Sequence, residues 1–234
     1  MLQNELEKII SEQFSLVKVL SRKEGSSAVV LRHRNLDRKV VKIDTVRNYE
    51  IYEALSRISH ENLPSIIGII RKAEGFSVIE EYVDGISVAQ VLEGGLYNEK
   101  GVRAVCKSVL LALDVLHGFN IIHRDIKPEN IMIDSTGTVK LIDFDAARIY
   151  KHYRPTDTIF VGTAGFAAPE QYGVNQSDAR TDIFAMGVLM NVMLTGEHPV
   201  TKAYKGKLGK IIRKCINVDP EERYSSAMEL YKKL

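Results

Sequence analysis

The segment His123-Arg124-Asp125-Ile126-Lys127-Pro128-Glu129-Asn130 limits what this chain can fold into more than any other feature. It follows a long helical pattern over residues 99–118, carried by Val102, Val105, Val109, Leu110, Leu113 and Leu116. Two strand-like runs come after it, at Ile131–Ile133 and Val139–Ile142. Asp125 and Asn130 therefore project from one tight loop, the first suited to act as a base and the second as a metal ligand. Lys127 can set a positive charge beside a phosphate. Asp143 closes an apolar strand, a sensible place for a carboxylate on Mg²⁺, which takes one or two protein ligands and keeps several waters.

The flanking sequence changes texture near Asp84-Gly85. Before it, Leu2, Leu6, Ile9 and Ile10 predict a short opening helix, and Phe14, Leu16, Val19 and Leu20 a strand. A turn-prone Lys23–Ser27 follows, then a hairpin of Val29–Leu31 and Val40–Ile43 about Asn35–Asp37. A helix is predicted over residues 47–59, with strands at Ile66–Ile70 and Phe76–Ile79. After Asp84-Gly85 come the long helix, a loop-rich stretch from Asp145 to about Gln176, an apolar helix at Asp182–Leu194, and short helices to Leu234. This predicts an α+β chain of two lobes: a sheet-rich lobe over 1–82, a hinge at 83–85 and a larger helical lobe over 86–234.

Composition narrows the classes. With 45% apolar and 26% charged residues the chain can bury a core without staples. A net charge of +2 gives no reason to expect a nucleic-acid partner. Cys106 and Cys215 lie far apart in apolar stretches and are expected to be reduced core thiols. MLQNELEKII lacks the pattern of a signal peptide, and Phe184–Leu194 is shorter than the ~20 residues of a membrane span. A cytoplasmic location is the expectation.

The octapeptide resembles the catalytic loop of the eukaryotic-type (Hanks-type) protein kinases, and its Lys127 is similar to the serine/threonine branch. The resemblance extends from residue 14 to 234 and is bacterial-like in its short, glycine-poor form. It implies a bilobal protein-kinase fold, ATP with Mg²⁺ (or Mn²⁺), and a protein acceptor bearing Ser or Thr. It implies that Asp125 orients or deprotonates the acceptor, that Lys127 neutralises the transferring group, and that Asn130 and Asp143 hold the metal. Lys42 matches the strand lysine that anchors the α- and β-phosphates, with Glu50 or Glu53 as its helix partner and Glu50 preferred. Gly25, Ser26, Ser27, Val30 and Val40 fall at nucleotide positions, and the carbonyl of Glu81 and N–H of Val83 at the adenine edge. Arg124 beside Asp125 implies control by phosphorylation, with Thr156 and Thr158 as acceptors and Tyr150 and Tyr153 behind them. Gly162-Thr163 resembles the loop that receives substrate, with Thr163 expected to bond Asp125 and Lys127. Asp182 and the pair Glu170–Arg223 match scaffold positions. The chain is expected to act as a monomer or a transient dimer.

Three departures stand out. Lys23 and Ala28 occupy two of the three glycine positions of the phosphate loop, so a stiffer loop is expected. Glu80 stands at the back of the adenine pocket, where a charge must be paired or partly wet. Asp145 replaces a glycine after Asp143-Phe144; aspartate tolerates left-handed backbone, so it is expected to fit. These departures motivate a nucleotide-binding scaffold as the runner-up. A small-molecule kinase is the third reading, set back by the presence of Ala168-Pro169-Glu170.

Overall fold

The computed structural model describes residues 2–151, 163, 165–172 and 176–234, with side chains from residue 7 onward. The chain divides into two compact units. Residues 1–60 and 64–83 form the first, and residues 61–63 and 84–234 form the second.

The first unit is a five-stranded antiparallel sheet with two helices. Helix α1 (Leu2–Gln13) leads into β1 (Phe14–Lys23), β2 (Ser26–His33) and β3 (Lys39–Thr45). Helix α2 (Tyr49–Leu55) precedes β4 (Ile66–Arg71) and β5 (Phe76–Glu81), and the strand order is β1-β2-β3-β5-β4. The turn-prone Lys23–Ser27 becomes a two-residue connection closed by the pair Lys23↔Ser26. Gly25 sits there at φ 73, which a side chain adopts only with strain. Strand β3 is central, pairing with β2 on one side and β5 on the other. Helix α2 is shorter than the predicted 47–59. Asn48 takes a left-handed conformation (φ 65) and delays its start, and the cap at Ser56 ends it after two turns.

In the second unit, β6 (Gly85–Ser87), β8 (Ile131–Asp134) and β9 (Val139–Leu141) form a small sheet ordered β6-β8-β9. A Cβ on Gly85 would lie 2.1 Å from the Ile133 carbonyl oxygen, so only glycine lets β6 approach β8. Helix α3 (Val88–Gly94) begins with a capping box in which Ser87 and Gln90 satisfy each other's backbone N–H. Helix α4 (Glu99–Gly118) runs as predicted, and its six pattern residues are all no more than 5% exposed. Strands β7 (Ile121–Ile122) and β10 (Arg148–Ile149) pair and so bracket residues 123–147.

Helix α5 (Ala179–Thr195) starts three residues before the predicted Asp182, because Asp178 and Thr181 form a capping box. It is buried nearly all round, as an apolar helix at the centre of a helical layer must be. Helices α6 (Gly209–Cys215) and α7 (Ala227–Tyr231) close the unit. Cys106 and Cys215 are free and buried, and burial pushes the Cys106 thiol up to about 12. Residues 61–63 join this unit through hydrogen bonds: Asn62 Nδ2 donates to the Val139 carbonyl (2.7 Å) and Leu141 N–H to the Asn62 carbonyl (2.9 Å). Among the described residues no helix is long and apolar enough to cross a membrane.

Candidate active site

The second unit gathers His123–Asn130, Asp143 and Thr163. The loop is suspended from α5. The wholly buried Asp182 accepts from the backbone N–H of His123 (3.0 Å) and of Arg124 (2.8 Å), and lies 2.8 Å from His117 Nε2. Burial pushes the Asp182 carboxyl up, but the His117 bond and the backbone donors outweigh it, so it stays ionised below its ordinary value. Burial also holds the His123 imidazole below its usual value. The neutral ring accepts from Asp125 N–H at Nδ1 (3.3 Å), which leaves Nε2–H for the Ile142 carbonyl (3.2 Å). It meets Phe144 edge to face at 5.3 Å.

These anchors fix the side chains of Asp125, Lys127 and Asn130. Asp125 Oδ1 accepts from the Thr163 hydroxyl (2.6 Å), and Oδ2 accepts from Lys127 Nζ (2.8 Å) and Asn130 Nδ2 (3.0 Å). Lys127 also donates to Thr163 Oγ1 (2.7 Å), so the bonds expected of Thr163 are both present. Burial raises the Asp125 carboxyl, yet the bonds from Lys127 and Thr163 hold it below the ordinary carboxylate value. It is a carboxylate that stays ionised at neutral pH and accepts from a hydroxyl.

Asn130 also donates to the Asp125 carbonyl (2.9 Å), so its nitrogen is committed and its amide oxygen faces elsewhere. Asp143 stands at φ 68, a left-handed conformation costly for a non-glycine residue. An amide oxygen and a carboxylate suit a hard, oxygen-seeking cation such as Mg²⁺. Asp145 is exposed, and its backbone N–H donates to Asp143 Oδ1 (3.1 Å). Asp145 itself takes no left-handed conformation; the positive φ in this segment belongs to Asp143. The missing glycine is thus accommodated without strain at 145.

Arg124 is also left-handed (φ 65), and its Nε donates to the Ala146 carbonyl (2.8 Å), tying the loop to the segment after Asp143. Gln171 donates to the Arg124 carbonyl (3.0 Å), a link the sequence did not signal. Glu170 and Arg223 form a buried two-pronged pair at 2.7 and 2.9 Å, joined by the Thr181 hydroxyl at 2.8 Å. Thr156, Thr158, Tyr153 and Gly162 lie outside the described residues.

In the first unit, Lys42 is part-buried on β3, and its ammonium pairs with Asp44 at 2.6 Å. Asp44 was not singled out by sequence, although two residues along a strand share a face, and that was the available signal. Lys72 and Ser77 donate to its other oxygen, each at 2.5 Å. Burial raises the Asp44 carboxyl, but Lys42, Lys72 and Ser77 together bring it to about 2. Glu50 is exposed in the first turn of α2, and Glu53 lies 3.9 Å from Arg57. Val30 and Val40 are buried in the sheet, as is Val83 at the end of the unit. Glu80 is only 8% exposed and is not without a partner. Glu81 exchanges two bonds with Ser65, through its backbone N–H and its carboxylate.

Known proteins resemble this chain over most of its length. Residues 4–208 match the protein kinase domain. The serine/threonine-protein kinase PknB of Mycobacterium tuberculosis is 29% identical over 85% of this chain, and a probable serine/threonine-protein kinase PknB of Lactococcus lactis is 30% identical over 92%. The chain spans 38% and 37% of those two proteins. A crystal structure of Rad53 in complex with AMP-PNP superposes with a TM-score of 0.76 at 23% identity, covering 95% of this chain and 65% of that one, which establishes the fold. The chain belongs to the protein kinase domain family.

Proposed function

We propose that the chain is an ATP-dependent serine/threonine protein kinase of Hanks type, moving the γ-phosphoryl group of ATP to a Ser or Thr hydroxyl of a protein. The observation that carries this reading is the closed cluster of Asp125, Lys127, Asn130 and Thr163, in which an ionised carboxylate already holds a threonine hydroxyl at 2.6 Å. An acceptor hydroxyl at the same carboxylate is oriented for in-line attack. Its oxygen bonds to the γ-phosphorus, the bond to the β-phosphate oxygen breaks, and its proton passes to Asp125 while ADP leaves. Lys127 stands beside that carboxylate and offsets the charge of the transferring group. Positioning and charge stabilisation account for the catalysis, with little covalent work for the protein.

Asn130 and Asp143 would hold Mg²⁺, which supplies charge neutralisation on the phosphates. Lys42, with Gly25, Ser26 and Ser27, takes the α- and β-phosphates, and Glu50 is the helix carboxylate assigned to Lys42 by resemblance. Val30 and Val40 cover the base, and the Glu81 carbonyl and Val83 N–H read its edge. Arg124 is assigned by resemblance to read a phosphate on Thr156 or Thr158. The lobes are assigned to 1–82 and 86–234, with the hinge at 83–85. The protein is assigned to the cytoplasm, acting as a monomer or a transient dimer without a nucleic-acid partner.

Incubation with Mg-ATP and a generic protein acceptor, followed by phosphosite mapping, tests the reading. Phosphate on serine and threonine, including Thr156 or Thr158 of the chain itself, is the expected result. Nucleotide binding with no transfer to any hydroxyl would reduce the protein to a scaffold.

A further inference from the structure

We infer that Asp44 is the residue that positions Lys42, a fixed carboxylate on the lysine's own strand. The inference rests on the reading that Lys42 serves the phosphates of ATP. Residues 42 and 44 lie two apart on β3 and so share one face of the sheet. The ammonium is 2.6 Å from Asp44 Oδ2. The other oxygen of Asp44 is held by Ser77, directly across the ladder on β5, and by Lys72 just beyond β4. Ser77 is wholly buried, so one of the two supports cannot drift into solvent. Lys72 in turn reaches Glu7 of α1 at 3.4 Å.

A carboxylate held in this way differs from one on α2. That helix is seven residues long and starts from a left-handed Asn48 that gives it no side-chain cap bond. A glutamate on it moves whenever the helix moves. Asp44 belongs to the central strand and moves only with the sheet. With Asp44 between Lys42 and Lys72, and Glu7 on Lys72, the charges of the cluster balance. Asp44 and Lys72 also line a cavity of about 320 Å³ together with Gly25, Ser26 and Ser27. The carboxylate that holds the lysine thus lines a cavity shared with the loop assigned to the phosphates.

The test compares wild type with Asp44→Asn, Ser77→Ala and Glu50→Gln. Nucleotide-free protein is pulsed with acetic anhydride and Lys42 acetylation is followed by mass spectrometry. The KM for ATP and kcat are measured on a generic acceptor. Loss of the paired carboxylate exposes the amine, so Asp44→Asn is expected to accelerate Lys42 acetylation about threefold or more. It is expected to raise the KM for ATP about tenfold with a smaller change in kcat. Ser77→Ala, which keeps the charge but loosens it, falls between, and Glu50→Gln changes both readouts less than Asp44→Asn does. Acetylation of Asp44→Asn at the wild-type rate, or a larger effect of Glu50→Gln on both readouts, overturns the inference. Faster acetylation in a protein that neither binds nor turns over ATP supports the pairing and overturns the kinase reading instead.

Discussion

The His123–Asn130 loop of the second unit and strand β3 of the first both hold charged side chains partly or wholly out of solvent, but by opposite means. The loop is irregular, with Arg124 and Asp143 in left-handed conformations, and it keeps its shape because Asp182 grips two successive backbone N–H groups from α5. Strand β3 is regular, and its charges are braced sideways by side chains from other strands. In the loop, backbone strain of about 1–3 kcal/mol per residue is offset by a buried anchor. In the strand there is no strain to offset, and the charges compensate one another. Holding a carboxylate on an irregular loop needs the first device, whereas holding a flexible lysine on a regular strand needs only the second.

The sharpest way to break this comparison is to cut the scaffold of the second unit. Arg223→Ala leaves the buried Glu170 carboxylate without its cation, a change that costs about 3–5 kcal/mol. Calorimetry should show a large fall in melting temperature, and an unchanged value would mean that the pair is not holding the unit. Asp182→Ala strips three donors of their acceptor, at about 1–3 kcal/mol for each group left unmet. Hydrogen exchange should rise first at the amides of His123 and Arg124.

The next effect is local. Thr163→Ala removes one of the bonds on Asp125 and is expected to lower kcat about tenfold, with Thr163→Ser restoring most of it. Equal loss in both variants would count against the hydroxyl.

The pH dependence of stability compares the two units directly. Asp44, Asp125 and Asp182 all have carboxyls depressed by folding. Each contributes stability that is present above its unfolded value near 4 and is lost as pH falls toward its folded value, which for Asp44 is about 2. Melting temperature should therefore hold from pH 7 to about pH 5 and fall below about pH 4. Asp44→Asn should flatten part of that acid limb, and an acid limb identical to wild type would place the loss elsewhere.

The smallest effect is expected at the phosphate turn. Restoring glycine at Lys23 and Ala28 should change the KM for ATP less than about threefold, because Gly25 alone occupies the left-handed position of the two-residue turn. A larger gain would show that the missing glycines limit the first unit.

The same contrast explains what could be read from the sequence. The loop chemistry is contiguous, so His123–Asn130 and Asp143 announced themselves, and the unbroken apolar period of α4 predicted that helix from end to end. The network at Asp44 joins residues 42, 44, 72 and 77, which have no common motif and meet only because β3, β5 and β4 are neighbours. Period-two alternation was the one trace of it. Helix α2 was predicted too long because its apolar pattern continues past the point where Asn48 and Ser56 end it, and backbone conformation at a cap does not show in hydropathy. The early start of α5 was written in Asp178 and Thr181, a capping box that the apolar run overshadowed. Gln171 and His117 act on backbone atoms or on a buried carboxylate across long intervals, which a linear reading does not resolve.

The central claim is that Asp125, held ionised by Lys127 and Thr163, is the base of a phosphoryl-transfer site. The most direct test is single-turnover transfer from Mg-ATP to a protein acceptor by wild type and Asp125→Asn, with the ATP-induced rise in melting temperature measured on both. The expected result is transfer by wild type, a loss of about 10³-fold in the variant and an unchanged rise with ATP in both proteins. Transfer at the wild-type rate by Asp125→Asn, or ATP binding without transfer by the wild type, would contradict the account.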